Sequence, residues 1–89
     1  MPTVAQIDGL RIVMYYEDHE PAHFHVRGAA VTAKFALLDL AVLELVGRLR
    51  PQDAALIRRW GLANKKELLE NWGRARRGER ILKLKATNG

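Results

Sequence analysis

The chain has 89 residues, of which 48% are hydrophobic, three are histidine and none is cysteine. That length suits one domain with a modest core, and the lack of cysteine excludes a disulfide framework, a zinc knuckle and a thiol nucleophile. No apolar run approaches the ~20 residues of a membrane span, and the start MPTVAQIDG lacks the basic and apolar pattern of a signal peptide. A small cytoplasmic protein with no membrane partner is expected.

The formal charge of +5 is unevenly placed. Residues 1–44 carry three basic and six acidic side chains, whereas residues 45–89 carry twelve basic and four acidic. A half-chain with a net charge of +8 suits a polyanion or an acidic protein, or forms a solvated helix surface.

In chain order, Thr3–Ile7 and Leu10–Tyr16 read as strands rich in β-branched and aromatic residues. They are joined at Asp8-Gly9, a pair that tight hairpin turns favour. Glu17–Ala22 breaks the pattern. His23–Arg27 is a short third strand turning at Gly28, Ala30–Leu37 a fourth and Val42–Val46 a fifth. The short connections predict an antiparallel meander.

The period then changes. Pro51 suits the first position of a helix, and Leu56, Ile57, Trp60 and Ala63 share its apolar face. Asn64 and Glu67 resemble a capping box opening a second helix, with Leu68, Leu69, Trp72 and Ala75 inward and Glu70 within reach of Arg74. Gly78 suits a left-handed cap. Arg80–Lys85 alternates again, as a last strand returning to the sheet would. The expected fold is α+β: five to six strands over 1–49, covered on one face by a helical hairpin over 50–78, with a strand and tail over 79–89.

All three histidines lie in Asp18-His19-Glu20-Pro21-Ala22-His23-Phe24-His25. In an extended segment His23 and His25 share a face, while Phe24 points to the core. Three roles are open to them. Imidazoles with a carboxylate can hold zinc, nickel or manganese. His19, His23 and His25 could instead exchange protons in a metal-independent RNA cleavage that uses the 2′-hydroxyl as nucleophile. Or they could be structural, capping loop carbonyls. The neighbouring acids would raise the imidazole pKa values.

Arg58, Arg59, Lys65, Lys66, Arg74, Arg76 and Arg77 on the helices are candidate phosphate contacts. Base reading is not expected, because Asn64 and Lys65 offer little to a groove. Trp60 and Trp72 are expected in the core. The apolar surplus of Leu37-Leu38 and Leu40–Val46 suggests a homodimer or a small protein partner.

Met14-Tyr15-Tyr16, Asp18-His19-x-Pro21-x-His23-Phe24-His25 and Glu67-Leu68-Leu69-x-Asn71-Trp72 together resemble a small bacterial family, the domain of unknown function numbered 4160. The likeness covers nearly the whole chain, with Ala22 where members typically carry a second proline. It implies no settled activity. It implies a gene neighbour of another small family, a pair described as a toxin–antitoxin-like or regulatory module. The leading expectation is therefore a binding component of such a module, contacting a small protein partner and nucleic acid. A ribonuclease and a metal-binding domain are the alternatives, and no cofactor other than that metal is expected.

Overall fold

The structure is a computed structural model describing residues 2–85. Five strands, β1 (Thr3–Ile7), β2 (Leu10–Val13), β3 (His23–Gly28), β4 (Val31–Ala36) and β5 (Val42–Gly47), precede two helices, α1 (Pro51–Ala63) and α2 (Lys65–Arg76). The strands pair in sequence order, each antiparallel to the next. The α+β meander with a C-terminal helix pair is as expected. None of the helices is long and apolar enough to cross a membrane.

One sheet face is apolar because period-2 alternation sends Ile12, Val26 and Ala33 to the same side, in register across three strands, with Phe24 opposite Phe35 beside them. Trp60 of α1 closes over this face, edge-on to Phe24 with centroids 6.0 Å apart. Ile57, Leu68, Trp72 and Ala75 complete the helical side of the same buried cluster. Both tryptophans are core residues, as expected. The opposite face carries His25 between Val13 and Lys34, and Arg27 between Arg11 and Thr32.

Local signals explain most boundaries. Asp8 takes the positive φ of the first turn, 53°. Gly78, at φ 72°, sits in a Schellman closure: Glu79 N–H donates to Arg74 O at 2.8 Å and Gly78 N–H to Ala75 O at 3.2 Å. Gly47 ends β5 at φ 93°, and a Cβ there would lie 2.1 Å from Ala30 O, so only glycine fits.

Three local expectations are corrected. Asn64 makes no side-chain cap on α2. It is the sole residue between the helices, and its Nδ2 donates back to Trp60 O at 2.9 Å, closing α1 instead. Arg74 reaches not Glu70 but Asn71 Oδ1, 3.0 Å away. The sixth strand does not form among the described residues. Residues 79–85 carry no ladder and touch β1 through one backbone bond, Leu84 N–H to Val4 O at 2.7 Å. The end of the proposed tail, 86–89, lies outside the described residues.

Side chains hold that segment in place of a ladder. Asn71, fully buried, donates from Nδ2 to Leu82 O (2.8 Å) and accepts from Leu82 N–H at Oδ1 (2.9 Å). Tyr16 Oη accepts from Ile81 N–H, and Trp60 Nε1–H donates to Lys85 O at 2.8 Å. Asn71→Ala leaves the Leu82 pair without its partners, and each unsatisfied buried group costs ~1–3 kcal/mol. A loss of about 2–4 kcal/mol in urea unfolding is expected, with early proteolysis beyond residue 78. A change below ~0.5 kcal/mol would show that the clamp carries no weight.

Candidate metal centre

The loop between β2 and β3 packs beside α2, where Glu20 meets Trp72 and Arg76, and Pro21 interrupts the ladder before it restarts at His23. The restart fixes the parity. Phe24 enters the core, and His23 and His25 both face the loop, as the alternation predicts.

Burial distinguishes the three histidines. His23 is 4% exposed and His25 7%, whereas His19 is exposed and stands outside their cluster. Asp18 lies between the two buried rings. Its Oδ2 is 2.8 Å from His25 Nε2 and 3.1 Å from His23 Nε2. These donor atoms of Asp18, His23 and His25 all lie within 4.8 Å of one another.

The tautomers follow from the partners. His23 Nδ1 is 2.7 Å from Pro21 O, a carbonyl that can only accept, so Nδ1 carries the proton. The Nε2 of His23 is buried and makes no aligned hydrogen bond, although Asp18 Oδ2 lies close. His25 donates from Nε2 to the same oxygen. Its ring stands edge-on to Tyr15 at 4.6 Å and to His23 at 4.9 Å, and Trp72 covers His23 at 5.4 Å.

The expected rise in imidazole pKa is corrected for His25. Burial pulls it below the ordinary 6.5, outweighing the hydrogen bond and charge of Asp18, and His23 and Lys34 push it lower still. The unfolded chain therefore takes up this proton first as pH falls, and the folded state loses stability from about pH 6.5 downward until the folded ring also protonates. In metal-free protein that loss should be visible by urea unfolding towards about pH 5, and His25→Gln should flatten it. A wild-type curve level across that interval would contradict the buried neutral ring.

A cleft of about 230 Å³ opens beside the cluster, lined by His19, Glu20, His23, Lys34 and Glu44 among others. His19 and His23 both line this cleft, while His25 lies behind them against Asp18 and Tyr15. The buried pair and Asp18 could hold a cation: two nitrogens and a carboxylate oxygen lie within 4.8 Å of one another, with a carbonyl on the outer nitrogen of one ring fixing its orientation.

Five of the seven basic candidates have partners within the chain. Arg58 lies over the Phe35 ring and donates to Leu40 O, and Lys65 donates to Leu38 O. Arg74 is bound to Asn71, Arg76 pairs with Glu20 at 3.3 Å, and Arg77 pairs with Glu79. Among the described residues, Arg59 and Lys66 are the candidates without such a partner.

A family model described as "Domain of unknown function (DUF4160)" matches residues 9–73. The chain belongs to this DUF4160 family. No curated protein and no solved structure matches it. Within the DUF4160 span lie the whole cluster, Asn71 and both tryptophans. The sequence offered a carboxylate beside the imidazoles without singling out Asp18 from Glu17 and Glu20.

Proposed function

We propose that this DUF4160 protein binds a first-row divalent metal ion at Asp18, His23 and His25. The observation that carries the reading is the buried Nε2 of His23, which has no aligned hydrogen-bond partner and lies beside the carboxylate that His25 also meets. Bonds of ~2.0–2.2 Å in a tetrahedral site would separate the donors by ~3.4 Å; the two carboxylate–imidazole distances are 2.8 and 3.1 Å and the whole set lies within 4.8 Å, so Asp18 would withdraw slightly and the rings would adjust about the ion. Three protein ligands leave further positions for water or a small anion on the side of the cleft. Two imidazoles and one carboxylate suit zinc, iron or nickel.

Calorimetric titration of chelator-stripped protein with zinc tests it. One ion per chain is expected. No heat at about millimolar zinc would overturn the reading.

A second reading, a binding component of a toxin–antitoxin-like or regulatory pair, has support in a different region. A groove of about 470 Å³ between the start of β5 and α2 is lined by Pro21, Ala41, Leu38, Leu43 and Leu69 with Lys65 at its rim, as a small protein partner would need. Nucleic-acid contact would rest on Arg59 and Lys66. Labelled RNA and duplex DNA followed by anisotropy over a salt series would show a steep salt slope if it occurs.

A further inference from the structure

β5 is an outer strand of the sheet, and all six of its residues are exposed. Leu45 is 48% and Val46 64% exposed, with Val42 and Leu43 beside them. Monomeric proteins usually blunt such an edge with lysine, proline or a short length. Glu44 is the one charge within this strand.

Backbone parity decides which groups the edge presents. Arg48 N–H donates to Ala30 O at 2.9 Å, and Val46 and Glu44 continue that register opposite Thr32 and Lys34. Residues two apart in a ladder turn the same way, so Val46 and Glu44 spend their polar groups on β4. The N–H and C=O of Leu45 face outward.

We propose that this edge pairs with the β5 edge of a second copy of the chain. The pairing is antiparallel with Leu45 opposite Leu45, joining two five-stranded sheets into one. The two Leu45 residues then exchange both backbone bonds, which is the closed arrangement that a twofold axis requires.

Charge selects the same partner and direction. Asp39 and Glu44 lie before or within the strand, and Arg48 and Arg50 follow it. Arg50 is held by Asp53 at 2.9 Å, and Arg48 is exposed. Antiparallel pairing about Leu45 brings Glu44 of each copy diagonal to Arg48 of the other. Parallel pairing stacks acid on acid, and an axis at Glu44 sets two carboxylates directly opposite. In the Leu45 register the two Leu45 side chains also meet on the helix-covered face, and each Val46 covers a Glu44 stem on the other.

Light scattering on a sizing column tests it at about 0.1 mM, a concentration that fills a micromolar dimer. The wild type should elute at twice 10.1 kDa. Leu45→Pro removes only the outward N–H and keeps the β4 ladder, and Leu45→Lys places two ammonium groups across the axis. Both should elute as folded monomers by circular dichroism, with at least ~10-fold weaker association. If the proline variant fails to fold, the lysine variant decides. A monomeric wild type, or a folded lysine variant that stays dimeric, overturns the proposal.

Discussion

Asp18→Ala is expected to abolish zinc uptake while leaving the fold intact. Losing an outer-shell partner of a metal ligand costs ~10–100-fold in affinity, and Asp18 is one of the three proposed ligands, so a loss above ~100-fold should result. The side chain is partly exposed and lies on the loop, so its removal opens no core cavity. It does take from His25 a hydrogen-bond acceptor. The readout is twofold. In wild type, zinc at a hundred times its Kd should stabilise by about 2.7 kcal/mol, which for a domain of this size raises the thermal midpoint by roughly 10–20 °C. In Asp18→Ala the midpoint should not move with zinc. Asp18→Asn separates charge from shape, since it retains an oxygen donor but no anion, and should bind weakly. An unchanged zinc response in Asp18→Ala would remove the carboxylate from the site.

Trp60→Ala should be the most damaging single change to the fold. The indole is 1% exposed, packs on Phe24 from α1, and ties Lys85 O through Nε1. Removing a buried tryptophan costs ~3–5 kcal/mol from lost burial and the cavity left behind. A small domain holds only ~5–15 kcal/mol in total, so the midpoint should fall by more than about 12 °C. Trp60→Phe keeps a ring against Phe24 but loses the Lys85 bond, and should fall between. Urea unfolding of the three proteins orders them. If the alanine variant were destabilised by less than the phenylalanine variant, the helix–sheet contact would not centre on this ring.

The meander was legible because its signals are local. Alternation placed Ile12, Val26 and Ala33 on one face, Asp8-Gly9 marked a turn, and Pro51 opened α1. The Gly78 closure of α2 was equally readable. Signals that depend on distant partners were not. Asn64 followed by Glu67 has the spacing of a capping box, yet a one-residue joint leaves no room for a cap, and the amide turns back to α1. Arg80–Lys85 alternates like a strand but makes only one backbone bond to β1. Its anchors are Asn71, Tyr16 and Trp60, whose roles no periodicity reveals. The same holds for the candidate centre. The shared face of His23 and His25 follows from parity, but their burial, and the placing of Asp18 between them, depend on how a loop folds over the sheet.

The clamp at Asn71 bears on where this domain can be cut. The family match stops at residue 73, yet Ile81 is buried in the common core and Leu82 occupies both polar atoms of Asn71. A fragment trimmed to the matched span would bare the apolar seat of Ile81 and leave a fully buried amide with nothing to bind. The physical boundary of the unit thus lies at least as far as Lys85, whose carbonyl accepts from Trp60, just past the contact of Leu84 with β1. A fusion or tag attached beyond that residue spares these contacts, whereas one placed nearer α2 severs them.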